Sequence, residues 1–302
     1  MVEVRIAVPE SARTAEMFGT RRVASGVVID DAGHVLTIGF QTLEAEKVEI
    51  VDQNGESVDA TVIAYDSVTG FGLLRATQPL QVKPMPFGRS SELKQGDPVF
   101  AAAYGGKDPV QGVMVMTRKE FAGSWEYLLE NAIFTTPAIE NFSGAALIDR
   151  HGHLVGIGYL LSPLLIPDLG TISANMFVPI DILKPILDDL KMLGRTKLGP
   201  RPWLGVRTEE IRGRLFVEHV RFGGPFEKAG IKAGDIILAV NKEAVQGMAD
   251  FYRKVWALGD AGVAVPLGIL QGIKVRQIVV HSTNRDQFLK PQKREQQSNE
   301  SV

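Results

Sequence analysis

Ser143 is the side chain with the clearest chemical potential in the sequence. It stands in Ile139-Glu140-Asn141-Phe142-Ser143-Gly144-Ala145-Ala146-Leu147, followed by Ile148 to Ile157, which scans as strand, tight turn, strand around Asp149-Arg150-His151-Gly152. A Ser-Gly-Ala-Ala run places a hydroxyl at a sharp bend with little bulk behind it, as the serine nucleophiles of acyl-transfer enzymes are presented. On this stretch alone a plain turn is the simpler reading. A reacting serine also needs a proton acceptor. His34 starts a strand and lies about 20 Å of extended chain from Phe40. His151 and His153 flank a hairpin turn, and His219 and His281 fall in a C-terminal unit; all five read as solvated surface or turn histidines. Lys47 and Lys107 are imaginable partners for a Ser-Lys dyad, with no spacing to recommend them. No His, Asp and Glu cluster has metal-ligand spacing. The Gly-Gly pairs at 105–106 and 223–224 lack the lysine-serine or the strand-helix setting of a phosphate cradle, so neither metal nor cofactor is expected.

The elements that would position Ser143 are short strands. Val23 to Ile29, Asp30-Asp31-Ala32-Gly33 and Val35 to Ile38 read as strand, turn, strand; Lys47 to Val51, Gln53-Asn54-Gly55 and Val58 to Tyr65 repeat the pattern, and Gly72 to Arg75 follows. A second set runs through Val99–Ala103, Gly112–Met116, Ala132–Thr136, Ala145–Ile148, Leu154–Tyr159 and Asn175–Val178. Two consecutive all-β sets fit a double barrel. The sequence predicts an N-terminal arm over 1–20, the double barrel over 21–194 with a closing helix over 181–193, a Gly- and Pro-punctuated linker over 195–202, a third unit over 203–283 and a disordered polar tail over 284–302. At 302 residues, with net charge −2 and no cysteine, the chain carries no basic footprint for nucleic acid and no disulfide or thiolate chemistry. No apolar run approaches a membrane span. Met1-Val2-Glu3-Val4-Arg5 lacks the basic start and apolar stretch of an export signal, which leaves open a cytosolic protein or a chain whose signal has been removed.

These motifs resemble, nearly end to end, the HtrA/Deg family of trypsin-like serine proteases with a PDZ domain. Asn141-Phe142-Ser143-Gly144-Ala145-Ala146-Leu147 is similar to the nucleophile motif Gly-Asn-Ser-Gly-Gly-Pro-Leu. The resemblance implies a mainly β fold, a trypsin-like double β-barrel followed by a PDZ domain of α+β, partly open barrel form. Two departures matter. The family's histidine position, read through Leu36-Thr37-Ile38-Gly39-Phe40-Gln41, is Phe40, and the orienting aspartate position falls on Gly70. Phenylalanine accepts no proton and glycine orients nothing, and loss of such a triad removes on the order of a million-fold in turnover. The oxyanion loop, Asn141 and Phe142, replaces a glycine that gives such loops their freedom and is one residue shorter than the family pattern.

The third unit carries the most specific match. Trp203-Leu204-Gly205-Val206 resembles the PDZ carboxylate-binding loop, and Ala229-Gly230-Ile231-Lys232-Ala233-Gly234-Asp235-Ile236-Ile237 is close to the family signature. Such a domain adds an extended peptide to a strand edge and holds its terminal carboxylate on backbone N–H groups. Met248, Phe251, Tyr252 and Val255 on the following helix would wall the groove or pack the core, and a walled groove of this kind suits peptides or protein C-termini with an apolar last residue. Tyr159 to Pro167 reads as an apolar loop beside the cleft, either a contact surface or a cover over it. The expectation is a catalytically silent HtrA-like protein that binds peptides or partner proteins, in a role such as bacterial protein quality control. The alternatives are a serine endopeptidase using Ser143 with a non-standard base, and a structural subunit. The resemblance implies a homotrimer or a mixed oligomer with an active relative, and an extracytoplasmic, periplasmic setting if an export signal was removed.

Overall fold

Val2, Val4 and Ile6 are buried and alternate with Glu3, Arg5 and Ala7 along β1 (Val2–Ala7). That period of two makes one face of a strand apolar and the other solvated. In the computed structural model, which describes residues 1–105, 109–166 and 170–289, β1 pairs antiparallel with both β2 (Arg21–Val28) and β4 (Lys47–Val51). With β3 (His34–Ile38), β5 (Ser57–Tyr65) and β6 (Phe71–Ala76) it closes a barrel in the order β1-β2-β3-β6-β5-β4. Residues 1–20 are therefore a barrel strand and a short helix, α1 (Ala15–Phe18), rather than an arm. The charges at Glu3 and Arg5 lie on the outer face and mask the pattern.

The second barrel, β10-β11-β12-β9-β8-β7, is built from β7 (Pro98–Ala102), β8 (Val110–Gly123), β9 (Tyr127–Thr136), β10 (Ala146–Ile148), β11 (Leu154–Ile166) and β12 (Gly170–Pro179). One apolar cluster runs between the barrels, joining Leu36, Ile38, Phe71 and Leu73 of the first to Tyr127, Phe134, Ile157 and Tyr159 of the second. The apolar loop expected from Tyr159 is instead the far half of β11, paired with β12 from Leu160 to Ile166 beyond an irregularity at Tyr159; Pro167 lies outside the described residues. Leu164 is buried while Leu161 and Leu165 face solvent. The helix expected over 181–193 is broken into a 3-10 turn, Ile180–Ile182, and α2 (Leu187–Leu193). Pro185 explains the break, because it has no N–H to donate and disfavours a helical Lys184.

The third unit is a sheet in the order β13-β14-β15-β17-β18, with β16 added to β15. Its strands are β13 (Val206–Ile211), β14 (Arg214–Val220), β15 (Ile236–Val240), β16 (Glu243–Ala244), β17 (Ala264–Gln271) and β18 (Lys274–His281), and its helices α3 (Pro225–Lys228) and α4 (Met248–Trp256). Phe226, Phe251, Val255 and Leu267 fill its core. The tail is not disordered from residue 284. Arg285–Leu289 form α5, Leu289 is buried, and the Phe288 ring lies 4.7 Å from Trp203 and 4.2 Å beneath the Arg13 guanidinium. The remainder of the expected tail, 290–302, lies outside the described residues. Among the described residues no helix is long and apolar enough to cross a membrane.

Candidate functional site

Phe40 and Gln41 ride on a 3-10 turn, Gly39–Thr42. Gly39 has no room for a side chain: a Cβ there would sit 2.1 Å from the Tyr65 ring. The Gly39 N–H donates to Gly70 O at 2.8 Å, so the turn is stitched to the segment that carries Gly70. The buried Arg22 guanidinium fixes the other side, donating to Gly19 O, Gln41 O, Leu43 O and Thr14 Oγ1. These bonds aim the Gln41 side chain at the neighbouring barrel.

Ser143 is presented by Gly144, whose φ of 72° and whose Cα, so close to Ser25 O that a Cβ would approach it to 2.0 Å, admit only glycine. Ser25 N–H donates to Ser143 O at 2.8 Å and Gly144 N–H to Gly158 O at 2.9 Å, locking the bend between the barrels. The hydroxyl then meets an amide. Gln41 Nε2 donates to Ser143 Oγ at 3.1 Å. A carboxamide nitrogen takes up no proton near neutral pH, and its N–H occupies an oxygen lone pair that an attacking alkoxide would need. Among the described residues the N–H groups of Asn141 and Ser143 make no hydrogen bond. They border a cleft of about 380 Å³ lined by Ser25, Tyr104, Glu140, Asn141, Phe142 and Ser143.

Aromatic rings surround Phe40 and Gly70. The Phe40 ring lies 5.2 Å from Phe18 and edge-on to Tyr159 at 5.6 Å. Tyr159 stacks on Tyr127 at 5.0 Å, and Trp125 continues the stack. Tyr127 donates its hydroxyl to Thr69 O at 2.7 Å. Gly70, with φ 87°, faces this stack: a Cβ would stand 3.0 Å from Tyr159 Cε2 and 3.2 Å from the Tyr127 hydroxyl. Burial pushes both tyrosines well above the ordinary phenol value, so neither is a base. Phe40, Phe142, Trp125 and Tyr159 also line an apolar cavity of about 340 Å³ that runs between the barrels and the third unit.

The structure thus gathers Phe40, Gly70, Phe142 and Ser143 into one neighbourhood; of the histidines, His219 lines the same 340 Å³ cavity as Phe40 and Phe142, and among the described residues the side-chain partner of the Ser143 hydroxyl is Gln41. His34 pairs with Asp30 at 2.8 Å and His153 faces Asp149 at 3.4 Å. His219 and His281 lie on β14 and β18. Lys47 is engaged by Glu49 at 2.7 Å, and Lys107 lies outside the described residues. No group of three or more His, Cys, Asp or Glu could hold a metal ion among the described residues.

In the third unit the loop Trp203-Leu204-Gly205-Val206 already holds a carboxylate. The N–H groups of Leu204, Gly205 and Val206 donate to the Glu126 side chain at 2.7, 2.8 and 3.1 Å. Glu126 belongs to the turn between β8 and β9 in the second barrel. Two residues before it, Ser124 O accepts from Thr208 N–H on β13 at 3.0 Å. Tyr252 of α4 closes the other wall: its hydroxyl accepts from Glu126 N–H at 3.2 Å and donates to Gly123 O at 2.7 Å. Arg253 reaches Glu130 at 2.8 Å and Glu120 on the flanking strands. Of the helix residues expected at the groove, Phe251 and Val255 are in the core, Met248 is partly buried at its margin, and Tyr252 faces the hairpin. Burial raises the Glu126 carboxyl to about 7, against the lowering effect of its three N–H donors and Arg285. Gln41 and Glu126 carry no motif. Gln41 is signalled only as the polar neighbour of Phe40, and Glu126 only as a lone acid in the aromatic turn Trp125-Glu126-Tyr127.

Residues 24–157 match the trypsin-like peptidase domain and residues 202–281 the PDZ domain. The chain therefore joins a trypsin-like peptidase domain to a PDZ domain. The arrangement is similar to that of HtrA/DegP-type proteins: the periplasmic pH-dependent serine endoprotease DegQ of Escherichia coli (strain K12) is 28% identical over 277 residues, covering 85% of this chain and 58% of DegQ. The periplasmic serine endoprotease DegP of Salmonella typhimurium is 27% identical over 268 residues, covering 82% of this chain and 54% of DegP. The chain thus spans little more than half the length of these relatives. Among solved structures, the HtrA-type protease AlgW with decapeptide superposes with a TM-score of 0.56 at 20% identity, covering 94% of each chain.

Proposed function

We propose that this chain is a catalytically silent HtrA-like protein that holds polypeptide segments through its PDZ domain and its protease-like scaffold. The observation that carries the proposal is the partner of Ser143 Oγ: the amide of Gln41, beside Phe40 and the aromatic stack over Gly70. A serine without a base is a poor nucleophile at neutral pH. The peptide-bearing AlgW structure supports peptides as the ligand class, and the periplasmic relatives support an extracytoplasmic role in protein quality control. Assembly as a homotrimer, or with an active relative, belongs to the same proposal and is tested by co-purification. The decisive experiment is labelling with an active-site-directed fluorophosphonate: Ser143 stays unlabelled over hours, and rapid, saturable labelling abolished by Ser143→Ala would overturn the proposal in favour of a serine endopeptidase with a non-standard base.

A further inference from the structure

We infer that the β8–β9 turn is the PDZ domain's resident ligand: Glu126 supplies from within the chain the carboxylate that the Trp203–Val206 loop holds, and a free C-terminus must displace it to bind. The inference deepens the peptide-binding reading above and rests on it only for the identity of the displacing molecule.

Three features set this contact apart from ordinary domain packing. The first is convergence. Three successive N–H groups, those of Leu204, Gly205 and Val206, meet on one side-chain carboxyl group, which satisfies three loop donors at once. The second is register. Ser124 O pairs with Thr208 N–H two residues along β13 from Val206, so the segment Ser124–Glu126 lies along the strand edge as an added strand ending in a carboxylate would. The third is the backbone of Glu126, at φ 61°. A non-glycine residue in the left-handed region is uncommon. Here it turns the chain back into β9 while the side chain goes on to the loop. A chain that did not end at this residue could present a carboxylate to that loop only through such a side chain. Tyr252 bonds both Glu126 N–H and Gly123 O, holding the turn from the helix side.

Tethering sets the size of the effect. A ligand held in the same molecule acts at an effective concentration on the order of millimolar. A resident turn with an intrinsic dissociation constant of about 100 μM or tighter therefore makes a free peptide bind the intact chain tenfold or more weakly than it binds an unoccupied groove.

The test uses the full chain and a fluorescein-labelled decapeptide ending in valine, as free acid and as amide, together with amide hydrogen exchange. Glu126→Ala should tighten binding of the free-acid peptide at least tenfold and leave the amide unbound. Glu126→Asp keeps the charge but is one methylene short of the loop, and should behave as Glu126→Ala does; it guards against a folding artefact. In both variants exchange at Leu204, Gly205, Val206 and Thr208 should accelerate. Faster exchange with no peptide bound by any form would sustain resident occupancy and remove the peptide-binding reading. Exchange at the loop unchanged by Glu126→Ala, or equal tight binding of the free acid by wild type and variants, would overturn the inference.

Discussion

At the residue scale, Gly70 resists replacement. Its φ of 87° disfavours any L side chain, and a Cβ would press on Tyr159 and the Tyr127 hydroxyl. Phe40→His combined with Gly70→Asp should therefore give less than about a thousandth of an active protease's turnover, since triad effects are of million-fold order. Gly70→Asp alone should lower unfolding free energy by about 2 kcal/mol from backbone strain and overpacking. A peptide-library digest and a urea melt read the two outcomes; vigorous proteolysis by the double variant would show that the aromatic stack yields easily. Phe40, Gly70 and Ser143 could be singled out in the sequence because each sits in a short strand-turn motif with fixed neighbours. Gln41 was not, because its role depends on a hydroxyl 102 residues away, and nothing local distinguishes an amide that reaches across barrels from one in solvent.

At the scale of elements, the strand sets, the double barrel and the PDZ fold could be read from alternation and turn chemistry. β1 was hidden by Glu3 and Arg5, and β17 by Pro266 and Gly268, which interrupt its period. The β8–β9 turn looked like any hairpin end. Its contact with the Trp203 loop spans about 80 residues, and hydrophobic patterning carries no record of which carboxylate fills a nest of N–H groups. Docking of that turn should depend on pH. Burial lifts the Glu126 carboxyl from its ordinary 4.5 to about 7 when docked, facing the Arg285 guanidinium, the Tyr252 hydroxyl and the loop amides. A carboxyl raised on docking contributes fully below its undocked value, and that contribution is lost as pH climbs through the docked one. Protection of the Gly205 amide, corrected for intrinsic exchange, should fall between pH 5 and pH 8 and stay flat in Glu126→Gln. A wild-type profile as flat as the variant's would refute the assignment.

Across the whole molecule, the barrels and the PDZ unit share the Glu126 contact, the Arg253 pairs with Glu120 and Glu130, and the packing of α5, where Phe288 meets Arg13 and Trp203. These contacts differ in worth. The Arg253 pairs are half exposed and contribute under about 1 kcal/mol, whereas the Glu126 bonds are buried and removing their acceptor strands several donors. Calorimetry should accordingly show one unfolding transition in the wild type and in Arg253→Ala, and two in Glu126→Ala. A single transition in all three would mean that the remaining contacts, among them Thr208 with Ser124, Tyr252 with Gly123 and the packing of α5, suffice to couple the units.

Trp125 lies between the two residues that bind the PDZ strand and loop, with its indole stacked 6.1 Å from Tyr127 and 6.0 Å from Tyr159, and its N–H donated to the Tyr159 hydroxyl at 3.2 Å. Light absorbed by those phenols passes efficiently to a ring so close. The molecule thus carries its own optical gauge: withdrawal of the turn would lift the indole off Tyr159 into water and shift its emission to the red, without any added dye.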